Sequence, residues 1–377
     1  MLWARSRNST KYIEPPAWLA NGDTLPPASE FFACGNGLLH LPSGKLYPPT
    51  PDYFGLSASE VLYDPDAPEP REWMTFLADL LGDERGYDQE AVDALQESFG
   101  YSLSSDTSQQ KIFLIVGPKR SGKGTLARIQ KKLLGSTSVA GPTMSSLGET
   151  FGLEPLITKP LAIISDARIG ARTDKSAVTE RLLSISGEDQ MTVARKFRDA
   201  WHGQLITKFM ILTNELPSLN DGSGALAGRL IVLVLTKTFF GKEDAALTGK
   251  LLKELPGILN WAIKGYRQLR ARGHFVQPKS AVEAVEDIEM LGAPVKAFIR
   301  DCCRTGPGMT VRVDDLWEEW RAWNEKQGRA KDTGTKTWFG RNLRSAEPGV
   351  TTHKPGTGDA RSLAYVGIEL LRPERHF

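Results

Sequence analysis

A chain of 377 residues exceeds one ordinary domain and suggests two or three, and a hydrophobic share of 40% is ample for packed cores. Lysine and arginine (47) nearly balance aspartate and glutamate (45), leaving a formal charge of +2, so affinity for nucleic acid has to come from local basic patches rather than bulk charge. Cys34 and the adjacent Cys302 and Cys303 suit neither a disulfide framework nor a spaced zinc pair and read as reduced thiols. No apolar run approaches the about 18 residues of a membrane span, and the start "MLWARSRNSTKY" lacks the apolar core of a signal peptide, so a cytoplasmic protein without membrane attachment is expected.

Residues 1–55 read as a lead-in, with a short hairpin at "NGLLHLPSGKLYPPTP" and a Pro-punctuated connector. Residues 56–108 read as a helical subdomain, because Trp73, Phe76, Leu77, Leu80 and Leu81 recur at helical spacing and "EAVDALQESFGYSL" continues the pattern. Residues 109–275 hold four apolar strand candidates, "IFLIV", "PLAIIS", "KFMILT" and "RLIVLVL", separated by helical segments. Uninterrupted apolar runs suit strands covered on both faces, and with the glycine-rich "GPKRSGKGT" directly after the first of them the expected fold class is α/β, a P-loop ATPase core with a parallel sheet. After "HFVQPKSA", residues 276–377 run helix, strand, helix, helix and two strand-like pieces, the order of a winged helix.

The chemistry concentrates at Gly117, Pro118, Lys119, Arg120, Ser121, Gly122, Lys123, Gly124 and Thr125. Such a loop lets backbone N–H groups curl round phosphates, offers a lysine to the outer phosphates and opens a helix whose N-terminus favours anions. No acidic residue intervenes between Asp106 and Glu149, which keeps the loop electropositive. ATP with Mg²⁺ is the expected ligand, although the hydroxyl that meets the metal is displaced by one position to Thr125. The Gly-Lys-Gly-Thr ending is shared with nucleotide kinases, so a nucleoside monophosphate kinase stays open on the loop alone.

Later strands decide between these readings. "LAIISDAR" delivers Asp166, placed to organise Mg²⁺ and polarise water, with helix capping as its structural alternative. "KFMILTNELP" delivers Asn214, an amide able to bond a γ-phosphate and an attacking water, or else a turn former before Pro217. Arg229 precedes the fourth strand as a candidate arginine finger, or as a structural surface arginine. Between the second and third strands, Arg195, Lys196, Arg198, Trp201 and His202 mix cations with rings as single-stranded DNA binding requires, unless the hairpin is merely solvated around a packed tryptophan.

Taken in order, "GPKRSGKGT", "LAIISDAR", "MTVARKFRDAW", "FMILTNELP" and "GALAGRLIVLVLTKTF" resemble superfamily 3 helicases, most closely the phage- and plasmid-type primase-helicases related to the poxvirus enzyme. The resemblance spans roughly residues 55–377. It implies an AAA+-type core, a hexameric ring with ATP between subunits, and a hairpin that pulls single-stranded DNA. Lys123 and Thr125 would take phosphate and Mg²⁺, Asp166 the acid role, Asn214 the sensor role and Arg229 the finger in trans. Ser165 departs from the family's usual first acid. The short lead-in leaves no room for a polymerising primase, which is expected upstream or as a separate protein, with a polymerase as a further possible partner. The winged helix offers Lys336, Arg341 and Arg344, and His353, Lys354 and Arg361 in its wing, to DNA or to a protein. Trp317, Trp320 and Trp323 read as core.

The expected function is therefore an ATP-driven DNA helicase motor acting on single-stranded and forked DNA, in a bacterial host cytoplasm if the source is a phage or mobile element. The alternatives are an origin-binding remodeller or loader without processive unwinding, and a DNA-binding regulator with a vestigial ATP site.

Overall fold

The hairpin expected near residue 40 forms, with one strand more: β1 (Phe31–Cys34), β2 (Gly37–His40) and β3 (Lys45–Tyr47) make an antiparallel sheet in that order. The structure, a computed structural model, describes residues 4–5, 12–20, 24–55, 57–83, 86–168, 173–217, 224–328, 333–353 and 363–371.

Two helices follow. α1 (Arg71–Leu81) buries the five apolar residues read from its spacing. Its N-terminus begins at Pro70, which offers no side-chain acceptor; the Glu254 carboxylate does so from afar, accepting from the backbone N–H of Glu72 (3.1 Å) and Trp73 (2.9 Å). α2 (Gln89–Leu103) is capped by Asp88, whose side chain accepts from the Ala91 N–H at 3.0 Å.

The central elements are β4 (Ile112–Val116), α3 (Lys123–Leu134), β5 (Val139–Ala140), β6 (Leu161–Ile164), α4 (Lys175–Ser186), the hairpin strands β7 (Gln190–Arg195) and β8 (Arg198–Gln204), β9 (Lys208–Thr213) and β10 (Leu230–Val234). The short helix Leu247–Lys253 and the long α5 (Leu255–Arg272) complete the series. Five strands form one all-parallel sheet in the order β5-β6-β9-β4-β10. Every residue of β4, β6 and β9 is buried, as expected of strands covered on both faces. Four strands were legible as apolar runs; β5, only two residues long, was not.

α2 and α5 approach backbone to backbone through two glycines. A Cβ on Gly100 would stand 2.3 Å from Ala262 O and Tyr266 N, and one on Gly265 would stand 2.3 Å from Gln96 O. The Gln96 amide seals the contact by donating to Trp261 O at 2.9 Å.

The expected division at residues 55 and 108 is not how the chain partitions. Phe32, Leu39 and Leu41 share one buried apolar cluster with Trp73, Leu77, Phe99, Ile115 and Met210, so lead-in, helices and sheet fold round a single core. Residues 1–217 and 229–285 make one unit, and residues 218–228 and 286–377 another, so the later boundary falls near residue 285 rather than 275.

After the helix Val282–Gly292, the second unit continues with α6 (Pro294–Cys302), β11 (Cys303–Arg312), α7 (Val313–Lys326), α8 (Lys336–Ala346), β12 (Thr351–His353) and β13 (Ala364–Leu370), with an antiparallel sheet in the order β11-β13-β12. β11 is twice the length of the "MTVRV" strand expected, because it starts at Cys303 and absorbs a register shift between Thr305 and Thr310. Trp320 is fully buried, 5.1 Å from Phe339 and 5.6 Å from Trp323 between ring centroids, so this part of the tryptophan series is core as read. Burial pushes the Cys302 thiol up to about 11 and the Cys303 thiol up to about 12.

Candidate active site

The loop from Gly117 to Gly122 joins β4 to α3, and it is held from both sides. The Gly117 N–H donates to Thr213 O of β9 at 3.1 Å, and beyond β10 the Leu235 N–H donates to Val116 O at 2.8 Å. A strap of chain after β10 then runs alongside: Thr238 Oγ1 donates to Lys119 O at 2.9 Å and the Phe239 N–H to Arg120 O at 2.9 Å. Arg120 and Gly122 take left-handed φ angles of 60° and 93°. Gly122 is required twice over, since a Cβ there would also meet Leu80 Cδ1 of α1 at 2.8 Å.

Lys119 to Thr125 line an open cleft of about 930 Å³ together with Asn214. Its opposite wall comes from α1 (Glu72, Phe76, Asp79) and from the strap (Phe239, Glu243). Glu72, Asp79, Phe239 and Glu243 carry no motif and were not read from the sequence, and Phe76 was read only as an apolar helix position; the packing of α1 on Gly122 and the strap's bonds to the loop bring them there. The Lys123 ammonium donates to Gly117 O (2.5 Å), Pro118 O (2.8 Å) and Ser121 Oγ (3.1 Å), and partial burial lowers its pKa. Thr125 is nearly buried, and its Oγ1 accepts from Arg128 Nη2 at 2.9 Å. Arg128, also in the cleft, was not singled out from the sequence.

Asn214 is exposed at the end of β9, beside the loop, whereas Asp166 and Arg229 are not among the cleft's lining residues. Asp166 lies two residues beyond the Ile164–Ile211 pair, hence level with Thr213. Its carboxylate is engaged by Arg168, with Nη2 to Oδ2 at 2.5 Å, Nε to Oδ2 at 2.8 Å and the backbone N–H to Oδ1 at 3.0 Å. That guanidinium holds the Asp166 carboxyl below its ordinary value. Arg229 is half-buried against the end of α4, where Nη1 donates to Leu183 O and to Ser186 Oγ at 2.9 Å.

The hairpin β7–β8 projects Lys196 and Phe197 at its turn. Phe197 is 94% exposed with φ 58°, and the Lys196 ammonium stands 5.4 Å from its ring centroid. Phe197 is not among the hairpin residues expected from the sequence, Arg195, Lys196, Arg198, Trp201 and His202, although a "KF" pair at the turn between two short strands is the signal that marks it. Arg195 donates from Nε to Asp199 O at 2.7 Å, exposed His202 bonds Thr192 Oγ1 through Nδ1 at 2.9 Å, Arg198 is exposed and Trp201 is half-buried. In the second unit, Lys336 is paired with Asp314, Arg344 donates to Thr352 Oγ1 at 3.2 Å, and Arg341 and His353 are exposed. Lys354 and Arg361 lie outside the described residues. Among the described residues no helix is long and apolar enough to cross a membrane.

A family model described as D5 N terminal like matches residues 10–82, and a family of unknown function (DUF5906) matches residues 115–229. Among solved structures, the A form apo structure of the NrS-1 C-terminal region is similar over 86% of this chain and 80% of that one, at 15% identity and a TM-score of 0.50. A further apo structure of the same region matches over 86% and 79%, at 16% identity and a TM-score of 0.47. At such identities the likeness to the solved structures is one of fold. The resemblance to phage- and virus-type primase-helicases carried by the five motifs is borne out by the two family-model matches.

Proposed function

We propose that the chain is the helicase motor of a phage or mobile-element primase-helicase, hydrolysing ATP to move along single-stranded DNA and open duplex at a fork. The observation that carries this reading is that one folded unit holds both a phosphate-binding loop opening on a nucleotide-sized cleft and an exposed hairpin tipped by Lys196 and Phe197. The all-parallel strand order β5-β6-β9-β4-β10 supports reading the first unit as an AAA+-type core, and the element order of the second unit supports reading it as a winged helix.

The residues present suit Mg²⁺-ATP. The left-handed turn at Arg120 and Gly122 forms a nest, and Gly124 leaves the start of α3 open, its nearest would-be Cβ neighbour being Arg128 at 3.4 Å. Lys119 to Thr125 would cradle the phosphates, Lys123 exchanging the loop carbonyls for phosphate oxygens, while Thr125 and Asp166 would hold the metal. When bound, Mg²⁺-ATP supplies the phosphoryl group whose transfer to water drives the motor. Asn214 orients the attacking water, and Arg229 of a neighbouring copy in a hexameric ring steadies the charge that develops. Arg168 has to leave Asp166 before that carboxylate is free. At the hairpin, Lys196 meets strand phosphates and Phe197 offers a ring to a base.

A forked-duplex strand-displacement assay with ATP tests the reading. Unwinding that disappears in Lys123→Ala is expected. DNA-stimulated hydrolysis without displacement would instead identify a remodeller or loader, and activity unchanged by Lys123→Ala would overturn the ATPase assignment.

A further inference from the structure

A second cavity, separate from the loop cleft, opens at the root of the hairpin. It measures about 360 Å³, within the about 300–1,000 Å³ of small-ligand sites. Pro15, Pro16, Ile157 and Ile206 give it apolar walls, and Arg195, Arg198 and Trp201 of the hairpin stand along it. Ser29, Ser105 and Thr107 add hydroxyls, and Glu14 adds a carboxylate.

Trp201 is seated for contact on one face. A Cβ at Gly203 would come within 2.5 Å of Trp201 Cζ2 and 2.7 Å of Cη2, so the six-membered ring rests on the bare backbone of β8. Trp201 is half-buried and lines the cavity. Arg195 is fixed by its bond to Asp199 O, while Arg198 is exposed. An aromatic ring, apolar side chains, hydroxyls and guanidinium groups lining one cavity match one chemical class: a planar heterocycle attached to phosphate. Among the described residues no glycine loop or helix N-terminus lines the cavity, which disfavours a triphosphate there.

We propose that this cavity seats one unpaired base of the single strand, stacked on Trp201, with the flanking phosphates at Arg195 and Arg198. The proposal rests on the hairpin's assignment to single-stranded DNA and extends it: the strand is held at two levels, by Lys196 and Phe197 at the tip and by a buried base at the root. A motor gripping only backbone is indifferent to missing bases, whereas this one is not.

The test compares a fluorescein-labelled oligo(dT) with an oligomer of equal length whose sugars all lack bases, by anisotropy titration. The wild-type protein is expected to bind oligo(dT) about tenfold more tightly, the order of one stacked base. Trp201→Ala and the cavity-filling Ile206→Trp should each remove most of that preference, leaving only what Phe197 at the tip contributes, and Trp201→Phe should keep most of it, each with a wild-type thermal melt. Equal binding of both oligomers by the wild type overturns the base seat and leaves strand binding standing. So does a preference that survives Trp201→Ala and Ile206→Trp but is lost in Phe197→Ala, which would put the stacked base at the tip. If folded wild-type protein binds neither oligomer, the single-strand assignment falls, and the seat with it.

Discussion

Arg128 Nη2 lies 2.9 Å from Thr125 Oγ1, one turn along α3, so a guanidinium of the chain itself sits on the hydroxyl proposed for Mg²⁺. Asp166, the other proposed metal partner, carries Arg168 in the same manner. Each arginine competes with a cation for oxygen. Arg128→Ala is therefore expected to lower the Mg²⁺ concentration that half-saturates ATP hydrolysis by about threefold or more, since about 1 kcal/mol of charge-assisted bonding no longer opposes the metal. An unchanged Mg²⁺ dependence with weakened ATP binding would show that Arg128 touches phosphate instead.

Arg229 poses a different problem, because within one chain it ties β10 to the end of α4 through Leu183 O and Ser186 Oγ. A finger in trans has to be separable from that local role. Mixing Arg229→Ala subunits with Lys123→Ala subunits should recover part of the hydrolysis that each lacks alone. Failure to recover any in rings shown to be mixed would make Arg229 a structural residue of its own subunit.

Lys208 opens β9 fully buried, donating to Ser104 O at 2.7 Å and standing 4.7 Å from the Tyr101 ring centroid. Burial lowers its pKa to about 7, with Asp106 pulling weakly the other way. Between pH 7 and the ordinary lysine range the unfolded chain then binds a proton that the folded chain does not, so stability rises with pH across that window. The expected slope is up to about 1.4 kcal/mol per pH unit, and Lys208→Met should remove it. Urea unfolding of both proteins at pH 7, 8 and 9 measures the difference. Parallel profiles would mean that Lys208 stays charged in the fold.

Gly100 separates two effects of opposite sign. Replacing a helix-interior glycine with alanine favours the helix by about 1 kcal/mol. Here the new Cβ would press on Ala262 O and Tyr266 N at 2.3 Å, and these are backbone atoms that cannot rotate away. Displacing α5 costs more, about 1–3 kcal/mol as in overpacked cores, so Gly100→Ala should lower the melting temperature. A stabilised variant would show that α2 and α5 slide freely.

Much of the first unit was readable because its signals are local. An apolar run such as "IFLIV" declares a covered strand, and the glycines and lysine of the loop lie within nine consecutive residues. What escaped is made by distance in sequence. β5 exists because Val139 and Ala140 pair with β6, not because two residues have a period. Glu72, Asp79 and Glu243 reach the cleft only through the packing of α1 and the strap. Phe32 and Leu39 join the main core although Pro and Gly around them read as a lead-in. The hairpin's cations are adjacent in sequence and so visible there, yet the cavity at its root needed Pro16 and Ile206 from elsewhere in the chain.

The strap after β10 also fixes where the loop's donors point. In a planar trans peptide the C=O and the following N–H are antiparallel. With Lys119 O and Arg120 O both accepting bonds from Thr238 and Phe239, the N–H groups of Arg120 and Ser121 turn away from the strap as a pair. Two peptide planes are thus clamped by a segment more than a hundred residues downstream, and the aim of the loop's backbone donors is set before any anion arrives.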